Sequence, residues 1–220
     1  MSGWRPRSRD GGRPLTTLAR LFESSQSAAE YATGYFERVI ELIRQLDADA
    51  IARAIAKVEE ASLRGKTIFC IGNGGSAAVT SHFVNDLSAN SLVSGQPGIR
   101  SFSLADNVES ITAIANDAGF ENVFAYQLQA SMSEGDVLIA LSVSGNSENV
   151  IRGVEYANTH GGYTIGWCGF GGGRLARMCQ LTIHVPTTLD EYGPVEAVFA
   201  HLSHVVSGYL TMKRGRKLSH

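Results

Sequence analysis

Apolar residues return along this chain with two different periods, and each change of period marks an element boundary. From Ser27 the spacing is helical. Ala28, Tyr35, Val39, Leu42, Ile43 and Leu46 share one side of a helix that a Ser27–Glu30 capping-box pattern opens. A second helix from about Asp49 carries Ile51, Ile55 and Val58 on one face. Five short apolar runs follow: 67-TIFCI-71, 99-IRSFSL-104, 137-VLIALS-142, 163-YTIGWC-168 and 181-LTIHV-185. They are too short for helices and have the character of strands buried on both faces. Helical patterns separate them, over 76–92, 108–116, 123–133, 147–159 and 174–178. A last helix starts near Pro194, a favoured first-turn residue, and runs to about Met212. Strands alternating with helices predict an α/β fold, a three-layer sandwich of about five parallel strands, preceded by a helical hairpin. That hairpin has no sheet of its own to pack on and is expected to make subunit contacts.

Two of the strand-to-helix junctions have unusual composition. The turns 72-GNGGS-76 and 142-SVSGNS-147 are rich in glycine, asparagine and hydroxyls. Glycine lets backbone N–H groups approach an anion closely, and the helix start supplies unpaired donors and a positive dipole end. Serine hydroxyls donate to phosphate oxygens without adding charge. In an open parallel sheet both turns lie at the carboxyl edge, where ligands bind, so they can face one phosphorylated molecule. Gly72, Gly74 and Ala77 also satisfy a loose dinucleotide fingerprint, but the acid needed about 20 residues on is missing from 92-LVSGQ-96. Taken singly, the first turn is compatible with tight-turn geometry alone, and Ser147 with simple helix capping.

Composition narrows the setting. The chain has 220 residues, is 44% hydrophobic and 18% charged, and has a net charge of −2, which suits one globular domain and gives no case for nucleic-acid binding. Basic residues gather at the ends: Arg5, Arg7, Arg9 and Arg13 in a leader, and Lys213, Arg214, Arg216 and Lys217 at the close. The expected division is a flexible tail over 1–22, one domain over 23–212 and a second tail over 213–220. Cys70, Cys168 and Cys179 form no CxxC pair, and no apolar run reaches membrane-helix length. A reducing, cytoplasmic location and no membrane association are expected.

Titratable residues add a second constellation. His82 and Asp86, four apart, share one face of the helix after the first turn. Glu196 and His204, eight apart, lie about 80° around the last helix from one another. Two imidazoles and two carboxylates suit zinc or another divalent ion, and histidines satisfied in the core or at an interface are the alternative. His201, His184 and His160 show that a histidine here need not be a ligand. Asp106, Asn116 and Asp117 are polar positions after the second strand, and Asp117 before Gly119 also fits ordinary turn chemistry.

Three segments, 72-GNGGSAA-78 with His82, 115-ANDAGFENVF-124 and 135-GDVLIALSVSGNSENVI-151, together resemble the sugar isomerase (SIS) family, with its flavodoxin-like sheet, and most of all the phosphoheptose isomerases. The resemblance covers roughly residues 24–210. It implies a ketose–aldose isomerase that interconverts sedoheptulose 7-phosphate and D-glycero-D-manno-heptose 7-phosphate, or a close relative, through an enediol. It also implies that Asn73, Gly74, Gly75, Ser76, Ser142, Val143, Ser144 and Ser147 hold the sugar phosphate, with Asn116, Asp117 and Glu196 contacting substrate. The implied metal set is His82, Asp86, Glu196 and His204, with zinc as the ion. Glu196 or Asp86 would act as base and His204 as acid. A homotetramer with sites at subunit interfaces follows in the same way. Related SIS proteins that bind phosphosugars or replication initiators without catalysis are the alternative class.

The sequence departs from the family's pattern at several of these positions. Asp86 stands for a glutamate, Glu196 for a glutamine, Val143 for a threonine and Asn90 for an arginine, and 190-DEYGPVE-196 replaces an acid-Arg-x-Gln run. These changes mark a divergent branch.

Overall fold

A computed structural model describes residues 16–93 and 96–215. Its five strands are β1 (Thr67–Ile71), β2 (Arg100–Ser103), β3 (Val137–Ser142), β4 (Tyr163–Cys168) and β5 (Leu181–His184), all parallel, in the order β2-β1-β3-β4-β5. The order reverses between β1 and β3, where Ile68 lies opposite Val137 and Ile71 opposite Ala140. This is the doubly wound arrangement that opens a crevice above the carboxyl ends of those two strands. The turns after β1 and β3 are the two small-residue segments singled out above.

The central strands β1, β3 and β4 are apolar on both sides because both sides are covered, whereas the edge strand β2 alternates exposed and buried positions. Ile68, Cys70, Ile139, Leu141, Ile165, Trp167 and Ile183 face one helical layer. It is built from α2 (Ala28–Arg44), α3 (Ala48–Leu63), α4 (Gly74–Asn90) and α9 (Tyr192–Lys213). Phe69, Ile71, Leu138, Ala140 and Cys168 face the other, built from α5 (Val108–Ala118), α6 (Val123–Ser131), α7 (Glu148–Thr159) and α8 (Leu175–Met178). Trp167 is fully buried between Phe83 of α4 and Phe199 of α9, with ring centroids 5.4 and 6.1 Å away. The burial of the three thiols raises their pKa values, those of Cys168 and Cys179 to about 12, so they stay protonated.

Three expectations about the periphery are corrected. The α2–α3 hairpin is not left without a sheet: α3 packs on β1 and β5, burying Ala50, Ala54, Ile55, Val58 and Ala61, and α2 lies against α9. A helix α1 (Thr17–Ser24) occupies part of the segment read as tail, because Leu18, Leu21 and Phe22 recur at helical spacing and the helix packs on α2. The second tail does not begin at 213. Lys213 ends α9 and pairs with Glu59, while Arg214 is buried. Its guanidinium donates to the Pro97 carbonyl and the Ser62 hydroxyl, each at 2.7 Å. The basic residues at 5, 7, 9, 13, 216 and 217 lie outside the described residues.

The start of α9 is fixed by a buried ion pair. The Glu191 side chain is 0% exposed and takes two hydrogen bonds from Arg38 of α2, at 2.6 and 3.2 Å. The Thr188 N–H and hydroxyl also donate to it. Burial alone would raise the Glu191 pKa, but the bonds from Arg38 and Thr188 outweigh it and hold the carboxyl below the usual range. A carboxyl with a lowered folded pKa stabilises above its unfolded pKa, and that contribution is lost as pH falls through the folded value. Glu191→Gln is therefore expected to cost about 2–3 kcal/mol near neutral pH, by leaving Arg38 with only the exposed Glu41 as its ion-pair partner. It should also flatten the fall of stability on the acid side, as read from urea midpoints between pH 7 and pH 3.

Candidate active site

A cavity of about 210 Å³ opens at the β1/β3 crevice. Asn73, Gly74, Gly75 and Ser76 form one wall and Ser142, Val143, Ser144 and Ser147 another, with Tyr192 and Glu196 of α9 closing the side. All eight turn residues expected to hold the sugar phosphate thus line one space, together with Glu196.

The local structure leaves donors available there. Asn107, Ser27 and Asp47 cap α5, α2 and α3 with their side chains. The corresponding residues Asn73 of α4 and Ser147 of α7 make no capping bond. Ser147 instead lies 3.2 Å from the Ser142 hydroxyl, and Asn73 pairs with Asn149. The N–H groups of both helix starts therefore remain unused by their own caps.

The Ser142–Ser147 turn is held in shape from behind. Gly145 has φ +66°, a left-handed conformation, and a Cβ there would collide with the Gly172 carbonyl. The Gly145 carbonyl accepts from the Leu175 N–H at 2.9 Å, and the Asn146 side chain accepts from the Arg174 N–H at 3.0 Å. On the opposite wall, Gly75 has no side chain because the Glu196 carboxylate occupies the place a Cβ would take. That carboxylate is half-buried. Burial raises its pKa, against the interactions with the N–H and hydroxyl of Ser76 that lower it.

A second group sits farther along the same two helices. His82 Nε2 and His204 Nδ1 each approach Asp86 Oδ2 at 3.4 Å, and the two imidazole centroids are 4.9 Å apart. All three ligand atoms lie within 4.8 Å of one another. Ligands about 2.0–2.1 Å from a tetrahedral ion stand roughly 3.4 Å apart, so the residues present fit a divalent cation without large rearrangement. The shorter Asp86, in the place of a glutamate, still reaches both imidazoles. Glu196 does not join this group, contrary to the four-ligand expectation: eight residues before His204, roughly 12 Å along the helix, its carboxylate turns to Gly75 and Ser76.

Asn116 and Asp117 are not brought to the cavity. They are exposed at the end of α5, where the Asn116 amide donates to Asp117 at 2.7 Å. Three contributors escaped the sequence reading. Tyr192 stands edge-on to Phe170 at 4.8 Å, Arg38–Glu191 anchors the start of α9, and Asn149 grips Asn73.

Comparison with known proteins agrees with this geometry. Residues 33–169 match the family model described as SIS domain. A phosphoheptose isomerase of Rhodospirillum rubrum is 42% identical over 163 residues, covering 73% of this chain and 84% of that protein. One from Aneurinibacillus thermoaerophilus is 35% identical, over 79% of this chain and 80% of its own length. The solved phosphoheptose isomerase of Neisseria gonorrhoeae superposes with a TM-score of 0.77 at 26% identity, covering 84% of this chain and all of that one.

Proposed function

We propose, because this chain belongs to the SIS domain family and within it to the phosphoheptose isomerases, that it interconverts sedoheptulose 7-phosphate and an aldoheptose 7-phosphate. The observation that carries the reading is the single cavity with hydroxyl-rich and glycine-rich walls and one carboxylate, Glu196, on its side. The Ser142–Ser147 turn and the start of α4 bind the phosphate and the sugar hydroxyls through N–H and O–H donors. Holding the phosphate away from the reacting carbons orients them for proton transfer.

Aldose–ketose isomerisation moves a proton between neighbouring carbons through an enediol, and Glu196 is the base for that step. It lines the cavity, stands outside the His82–Asp86–His204 group, and is made more basic by burial. His204 is the acid that serves the substrate oxygen, through the Nε2–H that is left when its Nδ1 faces Asp86. His82, Asp86 and His204 would hold a divalent ion, zinc by the chemistry of their donors, which would polarise the substrate carbonyl as a Lewis acid. Asn116 and Asp117 reach substrate, in this reading, across a subunit boundary of a homotetramer. Exposed Phe36 and Ile40 on α2 and Val205, Tyr209 and Met212 on α9 support such an assembly. No helix among the described residues is long and apolar enough to cross a membrane, and the protonated buried thiols suit a cytoplasmic enzyme.

The test is turnover of sedoheptulose 7-phosphate by the purified chain supplied with zinc, with Ser144→Ala alongside. Wild type should form the aldose. Ser144→Ala should raise KM about tenfold by removing one phosphate donor. No turnover, or an unchanged KM in the variant, argues against the substrate or against the phosphate role of that turn.

A further inference from the structure

The two walls of the cavity belong to different strand–helix units, β1–α4 and β3–α7, and their closest polar link is a reciprocal amide pair. The Asn73 Nδ2 donates to Asn149 Oδ1 at 2.8 Å, and Asn149 Nδ2 donates back to Asn73 Oδ1 at 2.9 Å. Asn149 is 2% exposed, and its Oδ1 also accepts from the Val150 N–H at 2.9 Å, so its amide cannot turn over without losing bonds. Both amides are thereby satisfied, which a buried polar pair needs. Asn73 is the N-cap of α4, and Asn149 is the second residue of α7. The link therefore joins the starts of the two helices that face the cavity.

We propose that this pair is a spacer: Asn149 is a positioning residue that fixes the separation between the phosphate-binding turn and the start of α4, which holds the sugar. The inference rests on the phosphoheptose isomerase reading, and it adds a residue that never touches substrate. It also accounts for Asn73 leaving its capping role: the amide is spent on the crossing bond, and the Gly74 and Gly75 N–H groups carry no side-chain cap. The tenfold loss expected in kcat/KM corresponds to about 1.4 kcal/mol, which two hydrogen bonds at one buried site can supply. A ligand that spans both turns feels the separation, whereas inorganic phosphate, held by one turn, does not.

The experiment compares wild type with Asn149→Ala, Asn149→Ser, Asn73→Ala and the Asn73→Ala/Asn149→Ala double variant. Asn149→Ser keeps an acceptor for the Val150 N–H without reaching Asn73, so it serves if the alanine variant does not fold. For each, kcat/KM for sedoheptulose 7-phosphate is measured beside the inhibition constant of inorganic phosphate. The expected result is a loss of about tenfold or more in kcat/KM with the phosphate constant within twofold, and a double variant no worse than the poorer single one. Equal losses in both constants, additive single effects, or no change in kcat/KM overturn the spacer. A wild-type chain with no turnover overturns the isomerase reading alone. The spacer is then decided by calorimetric affinities of the same variants for sedoheptulose 7-phosphate and for inorganic phosphate. Parallel changes, or absence of sugar-phosphate binding, sink it.

Discussion

His204→Ala is expected to lower kcat by at least about a hundredfold while inorganic phosphate still binds with near wild-type affinity. The magnitude follows from the usual contribution of a positioned acid–base group, 10²–10⁴-fold. The separation of effects follows from the geometry. His204 meets His82 and Asp86 midway along α4 and α9, whereas the Ser142–Ser147 turn lies above the carboxyl ends of β1 and β3. Removing an imidazole that is largely exposed costs little in the core, so the melting temperature should hold. Turnover, phosphate inhibition and the melting temperature measured on one preparation check all three expectations. A fully active variant would defeat the role given to His204, and loss of phosphate binding would mean that the two parts of the site are not separable.

Gly145→Ala is expected to be the most damaging single methyl group that can be added to the site. The residue has φ +66°, which costs a side-chain-bearing residue about 1 kcal/mol or more, and the new Cβ would meet the Gly172 carbonyl. Backbone cannot step aside as a side-chain tip can. The neighbouring constraint is mutual, since a Cβ on Gly173 would lie 2.6 Å from the Gly145 carbonyl. The turn must shift, breaking the bonds to Leu175 and Arg174, for a total of about 3–4 kcal/mol. A chemical-denaturation midpoint together with phosphate inhibition tests this: both should fall. Wild-type stability would show that the 169–174 loop yields, and that the turn is not held from behind. By contrast Gly75→Ala meets only the movable end of Glu196 and should leave stability close to wild type.

How far the sequence could be read depended on the range of the forces involved. The central strands were legible because a parallel sheet covered on both faces demands unbroken apolar runs, and Thr67–Ile71 and Val137–Ser142 are buried at every position. The two turns were legible because glycine and serine at a strand-to-helix junction have local causes. The hairpin was misjudged because α3 meets the sheet through Ala50, Ala54 and Ala61, small residues that make a weak apolar stripe in one dimension. Helix α1 was hidden by the Gly- and Pro-rich stretch that runs into it. Helical spacing put His82 beside Asp86, whereas the meeting with His204 was implied only by the family resemblance. It could not show that Glu196, with a long side chain, turns to the start of α4 instead. Asn149 was invisible for the plainest reason: its partner is 76 residues away, and nothing local distinguishes a buried amide from an exposed one.

The position of α9 also has a consequence for biogenesis. The layer of α5 to α8 can close over its side of the sheet once residue 185 has left the ribosome. The opposite side waits for Val195, Val198, Phe199, Leu202, Val206 and Leu210, which arrive last and cover the indole of Trp167. Until then a nascent chain shows water a broad oily face, and the contacts that finally hide it span most of the polypeptide, which makes closure slow.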